Sequence, residues 1–103
     1  MVQWIYMTAG DKSEAEMLAK VLVEEGLAAC VNIFSGARSF YMWEGRFEEG
    51  EEYVMIAKTT RAVFPRLRDR VVDLHSYECP CILALNVTDG HQPFMEWISG
   101  EVA

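Results

Sequence analysis

Two amphipathic helical stretches are each enclosed by short runs of β-branched and aromatic residues. This alternation constrains the fold more than any other feature of the chain. Val2 to Thr8 reads as a buried strand. Asp11 and Ser13 both suit a helix N-cap, and Glu14 and Glu16 favour a first turn. Ala15, Leu18, Ala19 and Leu22 follow at helical spacing, with Lys12, Glu16, Lys20 and Glu24 largely opposite. Gly26 predicts the end of that helix. Leu27 to Phe34 predicts a second strand, broken at Ser35-Gly36. Ser39 to Trp43 predicts a third extended segment, turned at Glu44-Gly45-Arg46. Gly50 marks a further turn within the acidic stretch Glu48 to Glu52. Tyr53 to Thr60 alternates as a strand. Thr59 or Thr60 then caps a second helix reaching about His75. Its apolar stripe is Val63, Phe64, Leu67, Val71 and Leu74, and Pro65 sits in the first turn. Pro80 separates a loop from a last strand, Cys81 to Val87. Phe94, Met95, Trp97 and Ile98 mark a short terminal helix.

The order is β-α-β-β-α-β with a terminal helix. Each β-α-β unit crosses over right-handed, which places both helices on one face of the sheet. The expected fold is therefore α+β, a ferredoxin-like sandwich with an extended hairpin and a C-terminal helix. The other sheet face stays bare. Trp4 and Tyr6 alternate with Ile5 and Met7, so both faces of the first strand are apolar. Half of the aromatic side chains lie between Phe34 and Tyr53. Bare apolar surface of this kind calls for assembly, with the hairpin reaching a neighbour.

A chain of 103 residues suits a single domain spanning 1–103. A net charge of −7 argues against a protein built to grip nucleic acid or an anionic membrane. No segment approaches the length of a membrane span. Cys30, Cys79 and Cys81 form an odd set, and the last two lack the Cys-x-x-Cys spacing of metal and redox motifs. With no secretory leader legible at the N-terminus, a reduced, cytoplasmic protein is expected. An enzyme is not expected: no Ser-His-Asp context, glycine-rich phosphate loop or Cys-x-x-Cys is present.

Several runs resemble the CutA divalent-cation tolerance family: Leu27-Ala28-Ala29-Cys30-Val31-Asn32-Ile33, Tyr41-Met42-Trp43-Glu44-Gly45-Arg46, Ile56-Ala57-Lys58-Thr59-Thr60 and His75-Ser76-Tyr77-Glu78-Cys79-Pro80. Thr8-Ala9-Gly10-Asp11 is similar to the family's first strand–helix junction. The resemblance runs in order over nearly the whole chain. It implies a cytoplasmic homotrimer with the architecture of the nitrogen-regulatory PII proteins. It also implies a link to copper and other divalent metals, and no enzymatic activity. The hairpin residues Phe40, Tyr41 and Trp43 are then the expected trimer contacts.

In some family members the copper ligands are a cysteine closing the first strand and a His-His pair. Those positions here are Met7 and Leu74-His75, so only His75 keeps a strong donor. His75, Cys79 and Cys81 place three soft or borderline donors within seven residues. They are read either as a copper or divalent-cation site, with no cofactor obligatory, or as a structural histidine with packed thiols. Cys30 is read as core. Asp89 and His91 suit a solvated turn. In a trimer, Trp43, Lys58, Tyr77 and Glu78 meet at the inter-subunit cleft and supply an aromatic wall, a cation, a hydroxyl and a carboxylate. They are read either as a small-molecule pocket, in which Lys58 would hold an anionic ligand, or as a structural Lys58–Glu78 pair. The acidic run Glu48, Glu49, Glu51 and Glu52 is read as a loose collector of cations or, in preference, as a solvated hairpin tip. Arg61, Arg66, Arg68 and Arg70 on the second helix are read as an anion site or, in preference, as partners of that acidic run in a neighbouring subunit. A third possibility is a trimeric scaffold that presents surfaces to other proteins.

Overall fold

A computed structural model describes all 103 residues. The elements are β1 (Val2–Ala9), α1 (Lys12–Glu24), β2 (Cys30–Trp43), β3 (Arg46–Thr60), α2 (Phe64–Leu74), β4 (Ile82–Asn86) and α3 (Gln92–Glu101). The expected order holds. The sheet runs β2-β3-β1-β4 with every neighbouring pair antiparallel. No helix is long and apolar enough to cross a membrane.

Strand alternation sets which face is filled. Ile5, Met7 and Ala9 of β1, with Met55 and Ala57 of β3, meet Ala15, Leu18 and Leu22 of α1 and Leu67 and Val71 of α2 in one core. Each fully buried leucine there contributes about 1.5–3 kcal/mol of hydrophobic transfer. A smaller cluster of Val2, Ala29 and Ile98 fixes α3 at one end. The alternate residues point the other way, where no helix lies. Trp4 is 45% exposed, Leu83 59% and Leu85 52%. The bare apolar face predicted from β1 is therefore present.

The hairpin differs from expectation. Ser35-Gly36 does not break β2; it forms a bulge between Phe34 and Ala37, and the strand continues to Trp43. Gly50 does not turn the chain either, since it pairs with Ser39 inside β3. Only Tyr53 to Thr60 of β3 pairs with β1. The remainder, with Ala37 to Trp43, projects as a two-stranded ribbon and makes the molecule 45 Å long but only 25 Å by 22 Å across. The ribbon turns at Glu44-Gly45, both with positive φ.

The second helix begins later than expected. Its N-cap is Val63, not Thr59 or Thr60. Thr59 is fully buried in β3, and its hydroxyl donates to the Leu27 carbonyl at 2.7 Å. That bond ties β3 to the segment after α1 and holds the side chain inside the sheet, away from the first turn of α2. Pro65 lies in the first turn as predicted.

Candidate functional site

The segment from His75 to Cys81 follows α2 and is fastened to three other elements. The His75 side chain is fully buried. Its Nε2–H donates to the Thr8 carbonyl at 2.7 Å, because a carbonyl can only accept. Its Nδ1 accepts from the Tyr77 backbone N–H at 3.0 Å. The two partners together select the Nε2–H tautomer of the neutral ring. Ser76 donates through both its backbone N–H, at 2.7 Å, and its hydroxyl, at 3.0 Å, to the Glu14 carboxylate of α1. The Tyr77 hydroxyl donates to Glu52 of β3 at 2.8 Å. Gly10 makes room for this ring: a Cβ there would lie 3.1 Å from the Tyr77 hydroxyl oxygen. The Thr8-Ala9-Gly10-Asp11 motif thus permits a close approach that no other residue type allows as easily.

Cross-strand partners share a face. Tyr41 pairs with Glu48, Ala37 with Glu52, and Ser39 with Gly50. Period-two alternation brings Tyr41, Trp43, Glu48 and Glu52 to one side of the ribbon. Arg38, Phe40, Phe47 and Glu49 lie on the other, where Phe40 stacks on Phe47 at 6.4 Å and Arg38 pairs with Glu49. The acidic run is therefore not a hairpin tip. Its carboxylates are split between two faces of a strand, and the tip is Glu44-Gly45. The expected trimer contacts are split as well, with Phe40 opposite Tyr41 and Trp43.

The first ribbon face and the 75–81 segment border a half-open cavity of about 370 Å³. Tyr41, Trp43 and Tyr77 form its aromatic walls, and Glu48, Glu52 and Glu78 bring carboxylates. Thr8, Cys79 and Cys81 complete the lining. Both Glu52 oxygens accept hydrogen bonds, one from Tyr77 and one from the Ser39 hydroxyl at 2.6 Å. Burial, and then Glu52, raise the Tyr77 hydroxyl well above its ordinary value, so it stays a donor. Burial, and then Glu52, also raise the Cys81 thiol. Sequence reasoning named Trp43, Tyr77 and Glu78 together, and the structure brings them together. It missed Glu48 and Glu52, whose signal was the spacing of four residues along a strand, which puts both on one face.

Residues 3–101 match the family described as CutA1 divalent ion tolerance protein. The chain belongs to this family. It is 46% identical over 102 residues to the divalent-cation tolerance protein CutA of Archaeoglobus fulgidus, covering 99% of each chain. It is 41% identical over 98 residues to that of Thermus thermophilus, covering 95% of each. The solved Thermus thermophilus structure superposes with a TM-score of 0.97 at 39% identity over the whole of both chains. The Archaeoglobus fulgidus structure, described as a periplasmic divalent cation tolerance protein, gives 0.96 at 46% identity, again over the whole of both chains.

At the positions read from the sequence as metal ligands this chain offers little. Met7 is fully buried in the core between sheet and helices, on the face away from the cavity. His75 has both ring nitrogens engaged within the chain. No three His, Cys, Asp or Glu side chains converge on one point within the chain, so His75, Cys79 and Cys81 do not form the three-donor cluster read from their spacing. The reason is that His75 turns inward under β1 while Cys79 and Cys81 face the cavity. Cys30 is half-buried at the start of β2 rather than in the core.

Lys58 lies elsewhere. Its ammonium donates to Asn32 and sits 5.9 Å from the centre of the Trp4 ring, on the bare sheet face. It does not line the cavity and makes no ion pair with Glu78. The basic helix is also engaged at home: Arg70 holds Glu25 through two bonds of 2.8 and 2.9 Å, and Arg66 donates to the Ala103 carbonyl. His91 is the exposed N-cap residue of α3, with no side-chain bond to the helix, and Asp89 accepts from the next backbone N–H.

Proposed function

We propose that this chain acts as a non-enzymatic homotrimer in tolerance to divalent cations, copper among them, and that it holds such ions weakly. The observation carrying this reading is the cavity on the bare sheet face. It offers carboxylates without ion-pair partners and two thiols, but no converged set of donors. Such a site concentrates cations without the affinity of a built metal centre. The bare face supports trimerisation, since Trp4, Tyr6, Phe34, Leu83 and Leu85 would otherwise remain in water. Three free thiols, one of them exposed at Cys79, support a reducing cytoplasmic location.

Light scattering should return a trimer that survives dilution to low micromolar concentration; a monomer overturns the assembly. Copper titration should be unchanged in His75→Gln and weakened in Cys79→Ser/Cys81→Ser. The opposite pattern returns the metal to His75.

The aromatic walls favour a second reading, in which the trimer responds to a small organic ligand. A volume of about 370 Å³ lies in the range of small-molecule sites.

A further inference from the structure

We propose that the acidic end of the bare sheet face is a socket for Lys58 of a second copy of this chain. This rests on the trimeric reading and names the charge contact that sets how the subunits meet. Val54, Ile56 and Lys58 alternate onto the helix-free face of β3, and Glu52 and Glu48 continue that alternation out along the ribbon. Glu78 joins these two carboxylates in lining the cavity. The two signs of charge therefore share one face at opposite ends. Lys58 stands six residues from Glu52, about 20 Å along an extended strand and beyond the reach of a lysine side chain. The strands hold only two other basic residues. Arg38 points to the opposite ribbon face, where it pairs with Glu49, and Arg46 sits beside the turn, already at the acidic end. The arginines of α2 lie behind the sheet, on the face that carries the helices. Lys58 is thus the one strand cation at the far end of the bare face.

Covering this face selects the occupant. A partner that shields Trp4, Tyr6, Phe34, Leu83 and Leu85 also takes Lys58 out of water, since Lys58 and Leu85 flank Trp4 in the sheet. Within its own chain that ammonium has the Asn32 amide and the Trp4 ring at 5.9 Å, but no carboxylate. Glu48, Glu52 and Glu78 have no cationic partner either. A buried charge left without its opposite is strongly destabilising. A copy of the same chain carries both missing complements. In a trimer each contact is heterologous, so the basic end of one chain meets the acidic end of the next around the ring. The socket also suits a lysine. Both Glu52 oxygens are taken by Tyr77 and Ser39, which leaves Glu48 and Glu78 to receive the ammonium. Tyr41 and Trp43 present ring surface to its methylene stem. One ammonium among three carboxylates leaves the site acidic, so the weak holding of cations stands beside it.

Zero-length carbodiimide crosslinking of the intact full-length oligomer tests this. Assembly from a mixture of ordinary and nitrogen-15-labelled chains separates products within a chain from products between chains by mass. Lys58 should be joined to Glu48 or Glu78 in peptides that include a mixed label. Subunit exchange, followed by native mass spectrometry, tests the energetics. Lys58→Glu should speed exchange at least about ten-fold, and Glu48→Lys/Glu78→Lys should do the same. Combining the three reversals should return the rate to within about three-fold of wild type. Lys20→Glu, the same charge change on α1, should leave it unchanged. Lys58 products confined to one label, or none at all, overturn the pairing, as does a combined variant that exchanges no more slowly than its parents. The crosslink is read on the wild-type chain, so variants that fail to assemble leave that test in force. A trimer without the crosslink keeps the trimeric reading and loses the socket, whereas a monomer by light scattering overturns both.

Discussion

The Tyr77 hydroxyl donates to the Glu52 carboxylate at 2.8 Å, closing the 75–81 segment onto β3. The bond joins residues 25 apart in sequence and defines one wall of the cavity. Tyr77→Phe removes it and should cost about 1 kcal/mol, less than a buried bond to a charged group because the pair is partly solvated. The pH dependence follows from the raised hydroxyl. In the unfolded chain tyrosine titrates near pH ~10, whereas the folded chain keeps the proton beyond that. The contribution is complete below about pH 10 and is lost as pH rises through the folded value. Urea denaturation of both proteins should therefore show a stability gap that is constant from about pH 7 to 9 and shrinks above about 10. A gap unchanged at about pH 11 contradicts it.

His75 is a structural residue. His75→Ala leaves the Thr8 carbonyl and the Tyr77 N–H without partners and opens a void, at a cost of about 2–4 kcal/mol. Chemical denaturation of the purified trimer measures it. A loss under about 1 kcal/mol would show that water replaces the ring at little cost.

The ribbon turn holds a non-glycine residue in the left-handed region. Glu44 has φ 51° and Gly45 φ 77°. Asparagine-glycine is the pair this turn prefers. Glu44→Asn should raise stability by several tenths of a kcal/mol, and Gly45→Val should lower it by more than about 1 kcal/mol. Equal melting temperatures for all three proteins would show that the ribbon frays before the domain unfolds.

Asp11 caps α1, its side chain accepting from the Glu14 N–H at 2.8 Å. That bond, and then one from Ser13, lower its pKa. The stabilisation is present above the ordinary carboxylate range and is lost as pH falls through the folded value. Asp11→Ala should melt below wild type at neutral pH and converge with it near about pH 2. Parallel thermal melts that keep the same gap at both pH values would refute the charge contribution.

Much of this was legible locally. The alternation of Ile5 and Met7 with Trp4 and Tyr6 depends only on strand period, and the structure buries the first pair and exposes the second. The Asp11 cap and the leucine stripe of α1 are equally local. Ser35-Gly36 and Gly50 misled because glycine suits a bulge or a strand as well as a turn, and only cross-strand pairing chooses among them. Thr59 misled because a threonine that suits a cap equally suits a buried strand with a distant carbonyl to bond.

The site divides along the same line. Period and propensity determined the element order, the helix-bearing face and the bare face, since each depends on neighbours within a few residues. Which donors meet was decided by tertiary structure. His75 turns under β1 because the distant Thr8 carbonyl takes its Nε2–H while the N–H of its loop neighbour Tyr77 holds Nδ1. Lys58 is drawn to Asn32 by the β2–β3 register, and Glu48 and Glu52 join Trp43 and Tyr77 through that same pairing. Sequence spacing within the 75–81 segment carries no information about the partners outside it. They arrive from strands up to 67 residues away, and the geometry of the sheet alone brings them within bonding distance.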